Sequence, residues 1–120
     1  MEVLGREVNF CRTVGATCKI AEMYARESGK PFAEEKPYER VQRNCAELIE
    51  YMSEGYEALK AYQAESRGEQ YSPSVFTRQD CMMLDLDTFD ALFAEAFLCY
   101  AKDKITVQAS SEKKREPAGQ

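Results

Sequence analysis

Residues 38–62, YERVQRNCAELIEYMSEGYEALKAY, decide the fold. Val41, Cys45, Leu48, Met52, Tyr56, Leu59 and Tyr62 recur every three or four positions. Between them stand Glu39, Arg40, Gln42, Arg43, Glu47, Glu50, Glu54, Glu57 and Lys60. This is the pattern of one apolar stripe on a long, otherwise charged helix. Such a helix would be about 37 Å long at about 1.5 Å per residue. It cannot bury its stripe alone, so the flanking chain is expected to cover it. Gly55 inside it predicts either a kink or a close approach.

The flanks supply that cover. Residues 2–12 read as a β-hairpin, with Gly5-Arg6 as a two-residue type II′ turn. Val8 and Phe10 share one face. A helix is expected from Thr13 to Ser28, with Thr13 as N-cap and an apolar face of Val14, Thr17, Cys18, Ala21 and Tyr24, bordered by Ile20. Gly15 and Ala16 are small enough to admit a close neighbour. Gly29 and Pro31 end this helix, and Phe32 is the one large apolar residue of the connection 29–37. Pro37 suits the first turn of the long helix, which ends near 63–66 in a polar loop, 67–74.

Two short helices follow. Thr77-Arg78-Gln79-Asp80 is a T-x-x-D capping signature, and Asp85 caps the next helix, with Thr88 at its third position. Phe76 with Cys81, and Leu84 with Phe89, suit hydrophobic staples. The last helix is expected over 86–102, with Leu86, Phe89, Phe93, Phe97 and Tyr100 on one face and Leu92 and Ala96 beside them. Beyond residue 105 the chain turns polar and reads as a disordered tail, 106–120, with Ile105 and Val107 as an optional short strand. The expected fold is α+β and mostly α-helical. A single domain over 1–105 packs an N-terminal hairpin on about four helices, 13–28, 38–65, 78–83 and 86–102.

Composition narrows the function. The chain has 120 residues, a formal charge of −5, 44% hydrophobic and 31% charged residues. That balance suits one soluble domain and argues against a nucleic-acid coat. Arg40 and Arg43 stand among glutamates, unlike a recognition helix, and the run Lys113-Lys114-Arg115 is flanked by Glu112 and Glu116. No apolar run approaches a membrane span and the N-terminal residues do not resemble a signal peptide, so a cytoplasmic protein is expected. Five cysteines without a C-x-x-C pair fit a reducing compartment, with Cys18, Cys45, Cys81 and Cys99 as small buried hydrophobes.

Catalytic and metal chemistry find little support. The chain has no histidine, which removes triads and His-metal sites. It has no phosphate-binding glycine loop. An EF-hand register from Asp85 fails, because its fifth, sixth and twelfth positions are Phe89, Asp90 and Ala96. No catalytic, cofactor or metal residues are assigned.

The unusual feature is the apolar density between Met82 and Tyr100. Either these residues only cap the long helix's stripe, or their surplus forms a groove for another apolar segment. Met82, Met83, Leu86, Phe89, Phe93 and Phe97 are the candidate partner-binding residues on the second reading.

The opening Val3 to Ala16, VLGREVNFCRTVGA, resembles the hairpin-then-helix start of tail assembly chaperones of siphophages and prophages of Gram-positive bacteria. Residues 51–57, YMSEGYE, resemble that family's long helix. Residues 76–85 and 89–96 resemble its two short capped helices. The connection at 29–37 is shorter than the family's. The resemblance implies a non-enzymatic cytoplasmic protein without cofactors. It would bind the tape measure protein, keep it soluble and help recruit tail tube subunits, with self-association possible and no nucleic acid or membrane. A small acidic phage or mobile-element regulator that masks a host protein is the alternative.

Overall fold

The computed structural model describes the backbone of residues 1–28 and 37–115, and side chains over 1–26 and 44–101. Its elements are β1 (Glu2–Val3), β2 (Arg6–Glu7), α1 (Val14–Ser28), α2 (Pro37–Ser66), α3 (Arg78–Cys81) and α4 (Leu86–Arg115). The fold is α+β and mostly helical, with α1, α3 and α4 all packed on α2. The connection around Phe32, the burial of Val41 and the last five residues lie outside the described residues.

The hairpin turn sits one residue earlier than its glycine suggested. Val3 pairs with Arg6 and Glu2 with Glu7, leaving Leu4 and Gly5 as the central residues. Both have positive φ, 52° and 77°. That is the type I′ requirement, which matches the twist of the strands. The Val8 N–H donates to the Met1 carbonyl at 2.9 Å. Val3 and Val8 are buried and Phe10 packs against the core.

α1 begins as its sequence indicates. Thr13 Oγ1 accepts the Ala16 N–H at 3.1 Å. Its buried face is different: Ala16, Ile20 and Met23 face the core, while Val14 is 82% exposed and Cys18, Ala21 and Tyr24 are exposed. Apolar residues are spread around this helix, so periodicity alone leaves the face open. Gly55 decides it. A Cβ there would stand 2.4 Å from the Cys11 carbonyl oxygen, 2.9 Å from Thr13 Oγ1 and 3.3 Å from the Ala16 Cβ. The Cys11 N–H donates to the Met52 carbonyl at 3.1 Å. Gly55 therefore marks a close approach, where residues 11–16 cross the backbone of α2.

The α2 stripe holds only in its middle. Leu48 and Met52 are buried, joined by Ala46 and Ile49, but Leu59 is exposed and Tyr62 is 70% exposed. The helix ends in a Schellman motif. Gly68 has φ 73°, its N–H reaches the Glu65 carbonyl at 3.0 Å, and the Glu69 N–H reaches the Ala64 carbonyl at 2.8 Å.

Four polar residues of α2 lie inside, and the glutamates among them were expected on its solvent side. Glu47, Ser53 and Glu57 are buried and Glu50 is partly buried. Three of them bind the chain that returns along α2. Ser74 N–H donates to Glu57 at 2.8 Å, Phe76 N–H to Ser53 Oγ at 2.8 Å and Arg78 N–H to Glu50 at 2.7 Å. These are alternate N–H groups, the set that an extended chain presents on one side. Their acceptors stand at helical spacing 50, 53 and 57. The segment thus satisfies its backbone donors on side chains instead of a sheet, as buried donors require. Tyr71 OH donates to the same Glu57 oxygen at 2.7 Å. From outside, the Arg6 guanidinium donates to the Ser74 carbonyl and lies 5.4 Å from the Phe76 ring centroid. Phe76 is fully buried.

Glu47 serves a second junction. Its carboxylate accepts from Arg26 at 2.7 Å and from Tyr51 OH at 3.1 Å, and Arg78 stands 3.5 Å away. The buried charge is thereby compensated from α1, α2 and α3 together.

Candidate partner surface

α3 and α4 are positioned by their caps. Thr77 Oγ1 accepts the Asp80 N–H at 3.2 Å while Asp80 accepts the Thr77 N–H at 2.9 Å, the reciprocal box expected from T-x-x-D. Asp85 accepts the Thr88 N–H at 3.0 Å and the Thr88 hydroxyl at 2.6 Å. Those hydrogen bonds hold the Asp85 carboxyl below its usual range. Phe76 and Cys81, the first staple pair, are both buried; in the second pair Phe89 is buried and Leu84 is half-buried.

The helix so started buries Phe89, Leu92 and Ala96, with Phe93, Cys99 and Tyr100 at the edge of the core. The buried line is therefore centred on Leu92 and Ala96, and the expected line through Leu86 and Phe97 forms its outer flank. Phe93 and Phe97 are 5.8 Å apart by ring centroids, and Phe97 and Tyr100 are 6.4 Å apart. Tyr100 is covered by Arg12, 4.9 Å from its centroid.

The six candidate residues divide accordingly. Met82, Met83, Leu86 and Phe97 are exposed, Met83 at 72%. Phe93 is half-buried. Phe89, 7% exposed, belongs to the core and is withdrawn as a contact residue. Its placement follows from the cap: as the fourth residue of α4 it turns inward with Leu92 and Ala96. Leu98, Ala91 and Ala94 also face solvent and were missed. The signal for them was present. Over 86–101 the only charged residues are Asp87, Asp90 and Glu95. A helix covered on one side alone normally carries many more polar residues on the other.

α4 also runs further than expected. Its backbone is helical to Arg115, through the proposed strand at Ile105–Val107 and most of the expected tail. No glycine or proline interrupts residues 86–115, and Ala, Gln, Glu, Lys and Arg favour helix.

The thiols offer no activated nucleophile at the two sites where burial acts on them. Burial, then Asp80 and Glu50, push the Cys81 thiol up to about 12. Burial, then Asp90, raises Cys45. Cys81 is a buried hydrophobe as expected, whereas Cys18 is exposed and Cys45 and Cys99 are intermediate. Among the described residues no group of three or more His, Cys, Asp or Glu is placed to hold a metal ion, and no helix is long and apolar enough to cross a membrane. The buried row Glu47, Glu50, Ser53 and Glu57 was invisible in sequence. Glutamate between apolar positions reads as solvent-facing unless the segment that needs its oxygens is known.

No family model, curated protein or solved structure matches this chain.

Proposed function

We propose that this protein is a non-enzymatic tail assembly chaperone of a phage or prophage, acting in the bacterial cytoplasm. It holds an apolar helical segment of the tape measure protein and helps recruit tail tube subunits. The observation that carries the reading is the outward side of the α3–α4 unit. Met82 and Met83, in the turn between α3 and α4, and Leu86, Phe97 and Leu98, on α4, are all exposed there. Large apolar side chains exposed in this number over residues 82–98 suit association. Methionine adds side chains that adapt to varied partners. The sequence resemblance over most of residues 1–105 supplies the identity of the partner.

The test is co-expression with the adjacent tape measure gene product. A Met83→Glu, Phe97→Glu variant that keeps its helical circular dichroism is expected to lose co-purification. Unchanged recovery would sink the assignment. Tail genes on both sides of the coding sequence favour the chaperone over a regulator that masks a host protein.

A further inference from the structure

Resting on that reading, we infer that the segment held on the α3–α4 face is an apolar helix flanked by lysine and arginine. The inference comes from charge. Between Gln79 and Ala101 the chain carries Asp80, Asp85, Asp87, Asp90 and Glu95 and no lysine or arginine. Asp80 is 3.7 Å from Arg6, and Glu95 is 3.7 Å from the Met1 ammonium. Asp85, Asp87 and Asp90 are exposed and have no ion pair among the described residues.

Helical spacing sets these acids within the apolar face. At about 100° per residue, Asp90 lies between the Leu86–Phe97 line and Leu98, and Asp87 lies beside Leu98. Ala94 fills the space between and Ala91 lies just beyond Leu98, leaving low ground that a helix can approach. The face therefore interleaves exposed apolar side chains with Asp87 and Asp90, and residues 79–101 bring no lysine or arginine to it. A cationic amphipathic helix complements it in both respects. A second copy of this chain would bring Asp87 and Asp90 against their own kind, which like-charge repulsion opposes.

The experiment titrates the full chain with three synthetic amphipathic helices that share one leucine stripe and differ in their flanks: lysine, serine or glutamate. Fluorescence anisotropy is read from about 50 mM to about 500 mM salt. The lysine peptide is expected to bind most tightly and to weaken with salt. Asp87→Lys with Asp90→Lys is expected to weaken it roughly tenfold or more, since reversed charges repel the same flanks. Glu22→Lys with Glu65→Lys, exposed and elsewhere, is expected to leave it unchanged. Met83→Ser with Leu98→Ser is expected to weaken all three peptides alike.

Equal binding by the three peptides overturns the charge inference and leaves the apolar surface standing. Lysine-peptide binding that ignores Met83→Ser with Leu98→Ser is plain charge attraction, and overturns both readings. Binding by none of the three also overturns both. A dimer of the free chain that Leu98→Glu dissociates would assign the face to a second copy and overturn the basic partner.

Discussion

Two sides of the helical unit invert the usual assignment of polar and apolar residues. On α2, Glu47, Ser53 and Glu57 are buried. On α4, Leu86, Phe97 and Leu98 face solvent. The difference teaches that burial follows from what the neighbouring chain needs. Residues 74–78 arrive without strand partners and require acceptors, so α2 supplies carboxylates and a hydroxyl. No described segment crosses the outer side of α4, and its apolar residues are left for something else. One side is a closed account of donors and acceptors. The other is open.

The sharpest way to break the closed side is at its tightest point. Gly55→Val places branched carbons where a Cβ already stands 2.4 Å from the Cys11 carbonyl oxygen. Backbone must move, and a loss of about 3 kcal/mol is expected, the upper end of usual overpacking costs. Urea unfolding followed by circular dichroism measures it. A variant as stable as the parent would mean that residues 11–16 do not cross α2 there.

A smaller effect isolates a single acceptor. Ser53→Ala removes one oxygen and leaves the buried Phe76 N–H, 2.8 Å from it, without a partner. The expected cost is about 2 kcal/mol, within the range for an unsatisfied buried donor. Faster amide exchange at Phe76 in this variant would tie the loss to that bond. Ser53→Thr, which retains the hydroxyl, should recover part of the loss.

Alkali should also loosen the closed side. Glu57, through its hydrogen bond, and then burial push Tyr71 up to about 12, from an ordinary 10.0. Cys81 is pushed up to about 12 from 9.0. Both groups are neutral when protonated, and both hold their protons longer in the folded chain. Between about pH 9 and about pH 12 the unfolded chain thus binds fewer protons, and stability falls as pH rises. Below pH 9 this contribution is fully present. Unfolding free energies measured at pH 8 and across this alkaline range should decline, and less steeply in Tyr71→Phe.

The open side should hardly respond in stability. Met82→Ser and Met83→Ser are each expected to stay within about 0.5 kcal/mol of the parent, because exposed side chains have little to lose. The same changes should lower binding of a hydrophobic dye. A loss above about 2 kcal/mol in urea would show that these methionines are packed against something and belong to a core.

Legibility followed the same division. Local signals were readable: the Thr77 and Asp85 caps, Pro37 at the start of α2 and the long helix itself all stand where residue type and spacing indicate. Local chemistry determines them. The face of α1 was not readable, because Val14, Cys18 and Tyr24 compete with Ile20 and Met23, and only the crossing at Gly55 chooses between them. The hairpin turn was misplaced because Leu4 takes a positive φ, which no rule assigns to leucine. In the candidate surface, the exposed methionines and Phe97 were legible as excess. Phe89 was misassigned because a two-sided apolar helix has no polar stripe to show which side is inward.

The alternate hydrogen bonds of residues 74–78 have a consequence for how this chain can change length. Three acceptors on a rigid helix meet every second residue of the returning chain, so the match has a parity. Removing Gln70 only shortens the approach to it. Removing Val75 would exchange the roles of neighbouring residues: Phe76 would shift out of phase with Ser53, and its ring would point away from the core. Loss or gain of two residues would restore the phase but not the spacing of the cap that follows. Variation in length is therefore expected to gather before Pro73, with the next five positions remaining constant in number.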